Sequence, residues 1–261
     1  MRSFRLPRWA VGCIVPLLLL GLWQGAAAEG LVSPAILPSP VLVINTLLAM
    51  AQSGEMTQAV GATALRMLLG FSLGVTAATV LGGLCGASLH ARALIDPLIQ
   101  ALRSVPSLAW VPLFILWLGI FEASKITLVA VGVFFPVYLN LVSGIANVDR
   151  KLLEVGRIHG YAQLRRLVRI QIPAALPAYV IGLRSGLGLG WMFVAAAELL
   201  GATNGLGFIL DDGEQTGRPE RVLAALLLFG LCGKITDWVL ALGGRRLVAW
   251  QDIDVTRGAK G

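Results

Sequence analysis

Charge is what this chain most lacks. Only 13% of its 261 residues are charged, while 57% are hydrophobic, against about 25% charged in an ordinary soluble domain. Too few polar groups remain to cover a surface in water. That excludes a soluble globular protein and leaves a chain whose solvent is lipid. Cysteine is nearly absent too. Cys13, Cys85 and Cys232 stand far apart in apolar runs with no C-x-x-C, which excludes a disulfide framework and a cysteine zinc site. His90 and His159 are isolated, so no metal centre is expected. The net charge of +7 would hint at nucleic acid in a soluble protein. In a membrane protein it reports orientation instead, and no nucleic-acid partner is expected.

What the chain does have is long apolar runs. A helix needs about 20 such residues to cross the hydrocarbon core. Six segments qualify: 10–28, 62–89, 97–119, 126–146, 176–200 and 221–243. The first is read as a retained transmembrane helix. Its rival reading is a secretory signal, with Arg2, Arg5 and Arg8 before an apolar core and Ala26-Ala27-Ala28 as the cleavage site. Either way the N-terminus starts in the cytoplasm. The segments then predicted inside (1–9, 90–96, 147–175 and 244–261) hold 14 of the 21 Lys and Arg, and 29–61 holds none. This asymmetry puts both termini on the cytoplasmic side. Within 29–61, Ser39 followed by Pro40 predicts a capped helix, lying along the outer leaflet or packed on its neighbours.

Small residues recur every fourth position in the second span, at Gly70, Gly74, Ala78, Gly82 and Gly86, and in the fifth, at Gly182, Gly186 and Gly190. This spacing predicts close helix contact in lipid, within one chain or between two. Pro106 and Pro112 are predicted to interrupt span three, and Pro136 span four; such breaks often line a water-filled route, and helices kinked only for packing are as common. Arg66, Arg103, Arg184, Glu198 and Lys234 lie in or near spans and need partners or water. Lys234 and Asp237, three apart, are expected to pair on one helix face. Arg184 and Glu198 lie about 21 Å apart along one helix, too far to pair. Both are candidates for the substrate pathway, Arg184 as an attractor of anions or as a structural arginine, Glu198 near the outer mouth.

Two apparent motifs fail. "GFSLG", Gly70 to Gly74, matches a serine-hydrolase pattern but sits inside a helical run without the strand-to-helix turn. "GLCGKIT", Gly230 to Thr236, brushes against a phosphate-binding loop, yet Leu228 and Ile235 stand where Gly and Ser/Thr are required. The chain cannot bind ATP that way.

The densest positive charge falls between two apolar blocks, in "EVGRIHGYAQLRRLVRIQIP", Glu154 to Pro173. It reads as two short helices joined at Gly160, with Pro173 and Pro177 restarting the chain into span five. A plain basic loop on anionic lipid would explain the charge but not the glycine joint or the paired prolines.

This stretch resembles the cytoplasmic "EAA" loop of permease subunits in binding-protein-dependent ABC importers, through Glu154, Gly160, Leu167 and Ile172-Pro173. It departs at Val155 and Gly156, where alanines are usual, and at Leu167, where Phe is. "RSVPSLAWVPLFILWLGIFEASK" and "NVDRKLLEVGR" are similar to the nitrate/sulfonate/taurine permeases, above all the aliphatic sulfonate ones. The resemblance implies an all-α integral membrane protein of six transmembrane helices, the type I ABC importer (MetI-like) permease fold. It implies a signal-like first helix (1–28), a periplasmic or interfacial segment (29–61), a permease core (62–243) with coupling loop 147–175, and a cytoplasmic tail (244–261).

It further implies a permease of the bacterial inner membrane, not an enzyme, carrying a small anion: aliphatic sulfonate first, with nitrate, taurine, bicarbonate or a pyrimidine precursor as other cargoes. No cofactor is expected, since ATP would be bound by separate cytoplasmic ATPase subunits. A periplasmic binding protein and a second, identical permease subunit would complete the assembly. In the coupling loop, Leu153, Val155 and Ile158 would make apolar contact, and Glu154, Arg157 and Arg165 polar contact. Two other classes fit worse. A gradient-driven transporter predicts acidic residues at mid-membrane, and an embedded enzyme predicts a polar cluster within spans; the sequence offers almost none of the first and nothing of the second.

Overall fold

Proline and glycine punctuate an otherwise continuous succession of helices. The computed structural model describes residues 8–31 and 33–249. Arg2, Arg5, Arg257 and Lys260, which contribute to the charge asymmetry, and the tail beyond Ala249 lie outside the described residues. Among those described there is no strand. The helices are α1 (Arg8–Ala28), α2 (Pro40–Gln52), α3 (Glu55–Ala87), α4 (Leu89–Ser104), α5 (Val111–Leu118), α6 (Glu122–Ala146), α7 (Arg150–Ile158), α8 (Gln163–Arg166), α9 (Ile172–Leu199), α10 (Leu206–Gln215) and α11 (Pro219–Leu247).

Four of these runs are long and apolar enough to cross a membrane alone: α3, α6, Leu167–Leu199 and α11. The pair Leu89–Ser104 and Leu108–Leu118, bent by 87°, makes a fifth if the two count as one span, and otherwise a re-entrant loop. The break falls at Pro106, as expected, whereas Pro112 sits in the first turn of α5, where a missing N–H costs nothing. The sixth expected span is α1, 21 residues long and about 31 Å by helical rise. Further expectations need correction: residues 90–96, read as an inside segment between spans, are helical within α4. The second span begins at Glu55, not at residue 62. Pro136 does not interrupt span four, because α6 runs unbroken through it. Transmembrane helices tolerate such a proline when neighbouring groups satisfy the freed backbone.

The chain divides into two compact units, one of residues up to Ala62 with Thr203–Phe229, the other of Thr63–Ala202 with residues from Gly230. In the first, Ser39 caps α2 by accepting from the Leu42 amide at 3.2 Å, with Pro40 in the first turn. Val43 and Met50 of α2 are buried while Val41, Ile44 and Leu48 are exposed, so the helix packs on one face and leaves an apolar face open. Arg221 joins Glu55, and lies 3.3 Å from Asp212.

In the second unit α6 is the centre. Its Val129, Val133, Val137 and Tyr138 have no exposed surface. The glycines of α3 lie on one side of it: Gly70 against Val129, Gly74 against Ala130 and Val133, Gly82 against Leu141, Gly86 against Ile145. Gly182 and Gly186 of α9 lie on it too, against Asn140, Val137 and Val133. The small-residue stripes therefore form contacts within this chain, by backbone approach that larger side chains would block. Tyr138 buries its ring here and donates its hydroxyl to Asp96 at 3.0 Å.

Candidate coupling and pathway sites

The basic stretch folds around one glycine. Asp149 caps α7, accepting from the Lys151 amide at 2.9 Å. At the other end the Gly160 amide donates to the Arg157 carbonyl at 2.9 Å and the Tyr161 amide to the Gly156 carbonyl at 3.0 Å. Gly160 has φ of +69°. This is a Schellman stop, whose left-handed position glycine occupies without a Cβ penalty. Gly156 packs under Ile170 and Arg166, which fixes α7 against the helix that follows.

That following helix differs from expectation. α8 does not end before Pro173. It passes through a wide turn, Leu167–Gln171, in which the Ile172 amide reaches the Leu167 carbonyl, and continues as α9. Pro173 lacks an N–H and would crowd the carbonyl four residues back; a five-residue turn absorbs this without a break. Pro177 also lies inside α9.

On α7, Leu152, Val155 and Ile158 are 48%, 50% and 82% exposed, and Glu154, Arg157 and His159 are exposed with them. Three large apolar side chains thus share an open surface with charges. Leu153 is half-buried and lines a cavity with Gly86, Ala87, Gln163 and Arg166. The Arg165 and Arg169 guanidinium groups lie 5.7 and 5.9 Å from the Tyr161 ring centre, within cation–π range.

Among the described residues, Arg66, Glu198 and Arg184 fall into two networks, while Arg103 and Lys234 are in neither ion-paired set. In the first, Arg66 of α3 donates from Nε and Nη2 to the two oxygens of Glu122 at 2.5 and 2.8 Å, and from Nη1 to Glu198 Oε1 at 2.6 Å. Thr63 donates to Glu198 Oε2 at 2.9 Å. Lys125 donates to the Ile120 carbonyl at 2.9 Å and lies 3.6 Å from Glu122. Arg66, Lys125 and Glu198 are buried, whereas Glu122 is largely open. Glu198 is thus enclosed among partners, with 1% of its surface exposed.

In the second network Arg184 of α9 makes a two-pronged contact with Asp237 of α11, Nε to Oδ1 and Nη2 to Oδ2, each 2.8 Å. The expected Lys234–Asp237 pair is therefore replaced by a pair between helices. A guanidinium fork matches a carboxylate better than a single ammonium does. The Trp191 indole N–H donates to Thr236 Oγ1 at 2.9 Å, a second tie between the same two helices. Sequence reasoning overlooked the partners Arg66, Glu122 and Asp237 because it weighed pairs only within one helix. Depth offered a signal: Arg66 and Glu198 both lie near the predicted outer ends of their spans, and Arg184 and Asp237 share a depth well inside theirs. Among the described residues no group of three or more His, Cys, Asp or Glu is placed to hold a metal.

Known proteins share this sequence and architecture. The family described as the binding-protein-dependent transport system inner membrane component matches residues 70–248. A Bacillus subtilis protein described as an aliphatic sulfonates transport permease is 38% identical over 94% of this chain and 88% of its own length. The taurine transport system permease of Escherichia coli is 33% identical over 89% and 86%. The nitrate import permease of a Synechocystis strain is 30% identical over 85% and 83%. An inward-facing structure of the MetNI methionine ABC transporter superposes with a TM-score of 0.60 at 19% identity, covering 76% of this chain and 97% of that one; this likeness shows the fold. The chain belongs to the family of inner-membrane components of binding-protein-dependent transport systems.

Proposed function

We propose that this chain is the permease subunit of an ABC importer for small organic sulfonates, and that α7 with its glycine stop is the element gripped by a cytoplasmic ATPase. The observation that carries the coupling role is the open surface of Leu152, Val155 and Ile158 on α7. Apolar side chains this exposed, rimmed by charge, mark a contact surface. A short helix offering an apolar stripe fits a groove on a partner. Glu154, Arg157 and Arg165 supply the polar rim, and Gly160 the turn that presents it. Leu153 supports the helix from below, and Pro173 with its wide turn carries the loop into α9.

ATP is bound and hydrolysed by that partner. Two copies of this chain frame the route, and an external binding protein delivers cargo. The Lys and Arg asymmetry supports an inner-membrane protein with both termini in the cytoplasm. The sulfonate reading is supported by the 38% and 37% identity to proteins described as aliphatic sulfonates permeases. Enclosed by Arg66 and Thr63, Glu198 serves packing rather than cargo, while Arg184 remains open to a pathway.

The test is growth on ethanesulfonate as sole sulfur source, in cells lacking their own sulfonate permease and supplied with this chain, its ATPase and its binding protein. We expect growth with the parent chain, and loss of both growth and co-purifying ATPase with Ile158→Glu. Retained ATPase with unchanged growth in that variant would remove the coupling role and favour α7 as a lipid-surface helix. Growth on nitrate or taurine alone would reassign the cargo.

A further inference from the structure

Arg184 and Lys234 lie close to the middles of two apolar helices, α9 and α11, with Asp237 one turn further along α11. None of the three is enclosed. The side chains of Arg184 and Asp237 are 48% and 32% exposed, and Lys234 is exposed. Among the described residues the Lys234 ammonium has no carboxylate within ion-pair distance. Beside Arg184 on the open face of α9 are Ser185 and Gly188, both exposed and too small to shield the guanidinium, with the exposed Ile181 one turn before it. Hydrocarbon cannot cover such a face, since charge at this depth is heavily penalised unless it meets water or a polar partner. Exposed apolar side chains flank the charges on α11, Leu231 and Trp238 among them, so it is the charged groups themselves that must meet a polar space.

The chemistry of that face is specific. Two cations and one anion leave one positive charge in excess. Arg184 has five N–H donors, and Asp237 takes two. Three remain, with three more on Lys234. We infer that Arg184, Lys234 and Asp237 form a midplane binding site for a small monoanion with several oxygens, of the sulfonate class. The free guanidinium edge and the Lys234 ammonium bind the anion. Asp237 is a positioning residue: it fixes the guanidinium plane and holds the excess charge at one, so that the anion binds without being trapped. This deepens the proposed importer role, and rests on it for the direction of passage though not for binding itself.

The experiment measures binding of radiolabelled ethanesulfonate to the full chain, purified with whatever subunits accompany it but without binding protein. Nitrate and the neutral ethanesulfonamide serve as comparisons. Losing one charge-assisted contact should weaken binding about tenfold in Lys234→Gln, with recovery in Lys234→Arg. Asp237→Asn raises the excess charge and should tighten binding about tenfold while slowing uptake. A gain of affinity cannot come from misfolding, so this variant keeps the test decisive. The same pattern with nitrate but not ethanesulfonate would support the site and defeat the sulfonate cargo. Binding unchanged in both variants would overturn the inference. So would equal binding of the neutral analogue, or uptake by a parent chain that binds no anion.

Discussion

Gly160 shows how one residue sets a functional surface. Nothing lies within 4 Å of where its Cβ would be, yet its φ is +69°. The constraint is therefore conformational and not steric. Asparagine tolerates the left-handed region and valine does not. We expect Gly160→Asn to keep sulfonate-dependent growth and Gly160→Val to lose it while ATP is still hydrolysed, measured as uptake per ATP in proteoliposomes. Arg66 is constrained differently. Its replacement by alanine removes a cation from beside the enclosed Glu198 carboxylate, at a cost of about 3–5 kcal/mol. The double change Arg66→Met with Glu198→Leu removes both charges and should melt nearer the parent in detergent. Equal melting of the single and double variants would count against an electrostatic role.

At the scale of elements, glycine contacts set helix spacing. A methyl added at Gly74 would lie 2.5 Å from the Ala130 carbonyl oxygen, while one at Gly83 meets nothing within 4 Å. Gly74→Ala should therefore destabilise by about 1–3 kcal/mol. Gly83→Ala should be neutral or stabilise by up to about 1 kcal/mol. Thermal unfolding of the two variants checks this. These elements also show what was legible in the sequence. The glycine spacing, the Ser39-Pro40 start of α2 and the stop at Gly160 depend on local chemistry and could be read directly. The partners of Arg66 and Arg184 are set by packing between distant segments, which periodicity does not encode. Two of the prolines that misled did so for one reason. At Pro136 and at Pro173 the surrounding helix absorbs the missing hydrogen bond, through continuous packing in α6 and through a wider turn before α9.

At the scale of the molecule, the proposed topology places the α2–α3 turn outside and the α7 stop inside. In a background with the native cysteines replaced, a membrane-impermeant maleimide on intact cells should label Gln52→Cys and spare His159→Cys until the cells are opened. The reverse pattern would invert the topology and detach α7 from any cytoplasmic ATPase. Within the second unit, Val133 lies on both sides of the central packing. It is 3.0 Å from a Cβ built at Gly74 of α3, and its atoms lie 3.1 to 3.3 Å from those built at Gly186 and Gly190 of α9. One side chain is thus shared by two seams. A lineage that enlarged position 133 would have to remake α3 and α9 together, so the three helices are bound to drift as one inheritance, whatever cargo their descendants come to carry.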